Sequence, residues 1–207
     1  RNWYIGPTAI PKAGLSAADK TAVTDWLTAK NGTYAANTII NLSRYFEGET
    51  TFNLPINNWN LSLVIDTSAM FKGATAFNQP LDNWNTANVR YMDSMFLNAT
   101  AFNQPIGMWN VGNVENTRFM FQGATLFNQN INTWNTSKVT NMESMFDGAK
   151  AFNQPLNSWN LTTKLYNVAQ TFNNAIAFNK PIDTWNVSNV AFFMSMFEGA
   201  LVFNSSV

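Results

Sequence analysis

Tryptophan followed by asparagine recurs at Trp59, Trp84, Trp109, Trp134, Trp159 and Trp185, with intervals of 25 residues four times and then 26. A Phe-Asn pair keeps the same phase at Phe52, Phe77, Phe102, Phe127, Phe152, Phe178 and Phe203. A fixed period of this length constrains the fold more than any single motif. One unit cannot bury its apolar face alone, so successive units must stack. The unit reads W-N-x-S-x-V-x-x-M-x-x-M-F-x-G-A-x-x-F-N-Q-P-I-x-x. The extra residue of the last interval falls within Leu161–Lys164, because Leu165, Val168 and Phe172 resume the pattern after it.

Each unit carries two local signals. From Val89 the apolar positions are Met92, Met95, Phe96 and Ala99, a spacing that predicts a short helix with one buried face. Gly73, Gly123, Gly148 and Gly199 follow that segment, with Asn98 and Asn174 in the same slot. Glycine and asparagine are the residues that tolerate a left-handed C-cap. Around each tryptophan the alternation predicts a short strand: Trp84 and Thr86 face one way, Asn85 and Ala87 the other. The expected architecture is therefore an α/β repeat solenoid, with one short parallel strand and one short helix per 25-residue coil. About eight apolar side chains per unit point inward, and burial of each large one is worth roughly 1.5–3 kcal/mol.

The first 38 residues do not follow the repeat. Ser16 with Asp19 resembles a capping box, and Ala17–Lys30 reads as an amphipathic helix ending at Asn31-Gly32. The expected organisation is an N-terminal cap with one helix at 1–38 and a repeat region at 39–207. That region holds about six and a half coils and is open at its C-terminal end.

Composition then narrows the chemistry. The chain of 207 residues holds no histidine and no cysteine. Disulfides, thiolate zinc sites and Cys or Ser–His nucleophile systems are excluded. Twelve basic and twelve acidic residues cancel, so no basic field points to nucleic acid. Apolar runs are too short to span a bilayer. With 46% hydrophobic and 12% charged residues the chain folds rather than staying disordered. Asp82, Asp93, Glu143, Asp183 and Glu198 are scattered, with no paired catalytic spacing and no calcium loop. The methionines keep strict repeat phase beside phenylalanine, which makes them core rather than metal or haem ligands. No cofactor, metal or catalytic set is expected, and the protein is read as a non-enzyme.

Thirty-two asparagines stand out, and two columns recur. Asn53, Asn78, Asn103, Asn128, Asn153, Asn179 and Asn204 follow the phenylalanines. One amide per coil can satisfy backbone groups of its own and adjacent turns, so this column is expected to form a structural ladder. The second column is Asn60, Asn85, Asn110, Asn135, Asn160 and Asn186. With Ser62, Ala87, Gly112, Ser137, Thr162 and Ser188 it makes a flat polar face. Ice or glycan binding by that face is a remote alternative, since the rows mix Asn, Ser, Ala and Gly. Sequons at Asn60, Asn135, Asn160 and Asn186 restate the repeat and carry little independent information.

The variable positions point to a partner. Ile65, Tyr91, Phe119, Tyr166, Phe192 and Met194 occupy slots where the core pattern requires nothing apolar. Equivalent slots elsewhere hold Asp66, Asn116, Thr140, Asn141 and Glu143. An apolar excess on an outward stripe marks a protein interface.

The unit resembles the 25–26-residue surface-protein repeat of the BspA-like family, a leucine-rich-repeat relative of bacterial and mycoplasma surface proteins and of microalgal proteins. The matching residues include Trp134-Asn135-Thr136-Ser137-Lys138-Val139-Thr140-Asn141-Met142, Met145-Phe146 and Ala151-Phe152-Asn153-Gln154-Pro155-Leu156, and the likeness runs from about Ile39 to Val207. It departs at Lys164 to Thr171, where the Met-x-x-Met pair is lost, and at Asn130, which replaces Pro. The resemblance implies a leucine-rich-repeat-like fold and an adhesive or protein-binding role rather than catalysis. The sequence thus favours a binding or scaffold module of a surface or secreted protein. The rival reading is a structural subunit docked in a larger assembly, for example in an algal organelle lumen, through the helix face or the open end.

Overall fold

In the computed structural model, residues 3–5, 8–10 and 40–207 are described. Four short strands occur among them: β1 (Trp3–Ile5), β2 (Thr8–Ile10), β3 (Ile40–Asn41) and β4 (Val64–Asp66). β1 pairs antiparallel with β2, and β3 pairs parallel with β4. The pairing of β3 with β4 continues as single parallel bridges, Asp66 to Tyr91, then Asn116, Asn141, Asn167 and Phe192. Successive 25-residue coils are therefore neighbours in space, stacked in parallel. The predicted cap helix and its capping residues lie outside the described residues.

The expected α/β solenoid with a helix in each coil is not what the chain forms. No helix occurs among the described residues. Where one was predicted, the backbone runs as a ribbon of consecutive tight turns. The reason lies in where the amides go. In one coil, Met70 N–H donates to Thr67 carbonyl, Lys72 to Ala69 and Ala74 to Phe71, each closing a four-residue turn. The alternate amides, of Thr67, Ala69, Phe71 and Gly73, donate instead to carbonyls of Tyr91, Asp93, Met95 and Leu97 in the next coil, at 2.7–3.0 Å. A helix uses every amide within itself. This ribbon spends half of them locally and half on its neighbour.

The turn geometry is written in backbone dihedrals. Ala69, Ser94, Phe119, Ser144, Gln170 and Ser195 all have φ between 52° and 58°. Four residues on, Gly73, Asn98, Gly123, Gly148, Asn174 and Gly199 have φ between 52° and 71°. Gly73 and Asn98 thus adopt the left-handed conformation their residue types suggest, as the third residue of a turn rather than as a helix cap. The first set places a left-handed residue in the middle of the supposed helix, which no regular helix accommodates.

The strand expected at the tryptophan is also displaced. The alternation there is real in burial, since Trp84 and Thr86 are buried and Asn85 is exposed. The parallel bridges, however, form seven residues later in most coils. What ties the tryptophan segment to its neighbour is the indole itself. Trp84, Trp109, Trp134, Trp159 and Trp185 each donate Nε1–H to the carbonyl of Ile56, Leu81, Ile106, Ile131 and Leu156, at 2.9–3.1 Å.

The apolar positions of the repeat fill one continuous core. Val89, Met92, Met95, Phe96 and Ala99 are all buried, because turns of four residues return a side chain to the same side every third or fourth position, as a helix does. Phenylalanines stack along the axis: Phe71 on Phe96, Phe96 on Phe121 and Phe121 on Phe146, with centroids 5.4–5.7 Å apart and rings within 6° of parallel. A second file through Phe77, Phe102, Phe127 and Phe152 lies beside it at 5.9–6.1 Å along the axis. Each such ring buries about 150–250 Å² and gains further from offset contacts.

The insertion after Trp159 is absorbed between Thr162 and Leu165. Thr162 Oγ1 donates to Ser137 carbonyl and accepts the N–H of Lys164, replacing the asparagine-led turn of the other coils. Bridge spacing changes from 25 to 26 residues there, between Asn141 and Asn167.

Candidate binding face

The segment six to ten residues after each tryptophan opens the turn ribbon, and its side chains alternate. Thr67, Met92, Thr117, Met142 and Val168 point into the core and are buried. The residues on either side of each are half-buried or exposed, except Asn141, which is buried. The outward set begins at the bridge column, where an asparagine or aspartate usually starts the turn. Asp66 Oδ1 accepts the N–H of Ser68, Asn116 that of Arg118, Asn141 that of Glu143 and Asn167 that of Ala169. Such Asx turns supply locally the acceptor that an exposed turn lacks. In the two coils where the column carries Tyr91 and Phe192, that acceptor is given up for an aromatic ring.

The six residues singled out from sequence do not share one environment. Tyr91, Tyr166, Phe192 and Met194 are exposed, at 41%, 43%, 57% and 71%. Ile65 and Phe119 are half-buried. Three of them gather: the Tyr166 and Phe192 rings meet edge to face at 6.4 Å, with Met194 two residues beyond. The Tyr166 hydroxyl accepts Asn141 Nδ2 at 3.3 Å. Polar residues of the two intervening coils separate this cluster from Tyr91. Phe119 is distinct again. It holds a left-handed backbone, φ 58°, in a slot that otherwise takes Ala, Ser, Gln or Arg. A bulky residue in that region is strained. The Arg118 guanidinium lies 4.4 Å above its ring and reaches Glu143 at 3.6 Å. Phe193, exposed at 67%, was not anticipated, since its slot is inward in every preceding coil.

A groove that sequence reading misses opens beside Tyr91. It has a volume of about 490 Å³ and spans three coils. Arg44, Asp66, Ser68, Lys72, Tyr91 and Asp93 contribute its wall. Ser68 Oγ donates to Asp93 Oδ1 at 2.8 Å, and Glu47 holds Lys72 at 3.1 Å and Arg44 at 3.5 Å. The signal was present as polar positions scattered over three coils, and only the stacking brings them together. Among the described residues no group of three or more acidic side chains is placed to hold a metal ion. No helix there is long and apolar enough to cross a membrane.

The two asparagine columns lie elsewhere and differ in their bonds. After the phenylalanines, each Oδ1 accepts the backbone N–H of the same asparagine one coil on: Asn53 from Asn78, Asn78 from Asn103, Asn103 from Asn128, Asn128 from Asn153, Asn153 from Asn179 and Asn179 from Asn204, all at 2.9–3.0 Å. A glutamine joins in four coils, for instance Gln129 Nε2 to Asn103 Oδ1 at 2.9 Å. The column is half-buried through the middle coils and exposed at Asn53, Asn179 and Asn204. In the column after the tryptophans, Asn60, Asn85, Asn110, Asn135 and Asn186 accept from two residues ahead, from the N–H of Ser62, Ala87, Gly112, Ser137 and Ser188. Asn160 instead accepts Thr136 N–H of the coil before.

One family model matches this chain, described as Mycoplasma protein of unknown function, DUF285. It matches twice, over residues 18–132 and 106–207, and so takes in most of the chain. No curated protein and no solved structure matches it.

Proposed function

The chain belongs to that family, and we propose that it is a non-enzymatic tandem-repeat module that binds a protein partner through the outward residues of the turn ribbon. The resemblance of its unit to BspA-like surface repeats extends the proposal to adhesion or scaffolding by a surface or secreted protein. The observation that carries it is the placement of Tyr166, Phe192 and Met194. Tyr166, inside the stack, is 43% exposed at a slot where the preceding coil carries Thr140, and Phe192 and Met194 flank it from the following coil. Within the chain the Tyr166 side chain meets Phe192 edge to face and the Asn141 amide, and exposed aromatics and methionine are enriched in interface cores. Phe119 adds support, because its ring is held on the same ribbon at a backbone cost.

The test is Tyr166→Ser with Phe192→Ser, assayed against the partner captured by crosslinking on source cells. Both positions are exposed, so the melting temperature stays within a few degrees while capture is lost. Retained capture, with loss instead on Asn110→Lys and Asn135→Lys, moves the interface to the asparagine face.

A further inference from the structure

We infer that the groove beside Tyr91 is a carbohydrate subsite that takes one pyranose ring, as a free sugar or as the end of a glycan. The inference does not depend on the protein-binding reading, which rests on residues three and four coils away.

The first observation is the state of the Tyr91 ring. Other aromatics singled out on this ribbon have their rings engaged from within the chain: Phe119 carries the Arg118 guanidinium, and Tyr166 meets the edge of Phe192. No aromatic ring or cation packs on Tyr91 among the described residues, and it stands 41% exposed at the wall of the groove. Apart from Phe192, its slot in the other described coils holds an asparagine or aspartate that closes a turn. Tyrosine forgoes that hydrogen bond and presents a flat apolar face with a hydroxyl at its end.

The second observation is what surrounds the ring. Asp66 is its bridge partner in the preceding coil, and Asp93 lies two residues on, on the same outward side. Each carboxylate uses Oδ1 on Ser68, through its N–H or its hydroxyl, and has its second oxygen left as an acceptor. Lys72 and Arg44 bring donors to the wall, both paired with Glu47. The groove thus offers acceptors, donors and a ring face at near-neutral charge.

A simple cation would meet Arg44 and Lys72, and an anion would meet Asp66 and Asp93. A polyol suits both sets, because each sugar hydroxyl donates and accepts, and the C–H face of a pyranose lies flat on an aromatic ring. The volume falls within the range of about 300–1,000 Å³ common to small-molecule sites. The wall is polar and open, which fits a weak, exchangeable sugar contact rather than a buried cofactor.

The experiment is saturation-transfer NMR on the full chain with methyl glycosides of glucose, galactose, mannose and N-acetylglucosamine, together with N-acetyl-arginine amide as a cationic probe. One or more glycosides should take up saturation on ring C–H protons. Tyr91→Ala should abolish that signal, and Asp93→Asn should weaken binding about tenfold, the loss of one good hydrogen bond. Tyr166→Ala should leave it unchanged. A matching immobilised glycan bound more tightly than the glycoside assigns the source to a glycan, and equal affinity assigns it to the free sugar. Tyr91 and Tyr166 are exposed and Asp93 is half-buried, and an unaltered amide spectrum checks folding of each variant. The inference is overturned by silence from every glycoside, by saturation that survives Tyr91→Ala, or by a response to the arginine probe alone.

Discussion

At the scale of single residues, the stack is joined by side chains that replace missing backbone ladders. Asn103 shows the arithmetic. Its Oδ1 accepts Asn128 N–H at 2.9 Å and Gln129 Nε2 at 2.9 Å. Asn103→Leu leaves the Asn128 N–H without an acceptor in a half-buried place, while Gln129 Nε2 keeps the residue-103 backbone carbonyl at 3.0 Å, so it should lower stability by about 1–2 kcal/mol despite added apolar volume. Asn103→Asp keeps the acceptor and should cost less. Asn85 bonds only Ala87 N–H on the surface, and Asn85→Ser should stay within about 0.5 kcal/mol. Urea midpoints of the three variants check the order; equal losses at Asn103 and Asn85 would mean the inter-coil bonds carry nothing. Gly107 makes a second residue-scale case. A Cβ there would stand 2.5 Å from the Asn130 carbonyl oxygen, a contact that requires the backbone to shift. Gly107→Ala should therefore destabilise, and a wild-type melting temperature would contradict this close approach.

At the scale of the element, the question is why a sequence with helical spacing makes turns. Val89, Met92, Met95, Phe96 and Ala99 repeat every three or four residues, and that is all the hydrophobic pattern reports. Four-residue turns have nearly the same return, so burial was legible while the backbone was not. The distinguishing information sat in residues that read as neutral: Ser94 and Ala69 give no sign that they take φ of 58° and 55°. The destination of alternate amides, 24 residues away, is not encoded in any local preference. The core and the Gly or Asn turn positions could be read from sequence, and the six outward residues could be named. Their division into a Tyr166–Phe192–Met194 cluster, a strained Phe119 and a lone Tyr91 required the stacking register. Ser94→Gly separates the two backbones. In a helix interior it would cost about 1 kcal/mol. In a left-handed turn position it removes a penalty of roughly 1–2 kcal/mol that an L-residue bears, so the variant should be as stable as the parent or more so. A lowered thermal midpoint would restore the helix.

At the scale of the molecule, each coil depends on the two beside it. Trp109 is buried, stacks on Trp84 at 6.1 Å and donates to Leu81 carbonyl. Trp109→Ala should cost about 3–5 kcal/mol. Stacked repeats share interface energy with their nearest neighbours, so hydrogen exchange should accelerate in the coils on both sides and not only in its own. The central claim, that alternate amides leave their own coil for the next, can be measured by scalar couplings across hydrogen bonds in isotopically labelled protein. The stack predicts couplings from the amides of Ser94, Phe96 and Asn98 to the carbonyls of Arg118, Met120 and Gln122, while the amides of Met95 and Leu97 couple three residues back to Met92 and Ser94. Couplings from Ser94, Phe96 and Asn98 to carbonyls four residues before them would show a helix and contradict the account.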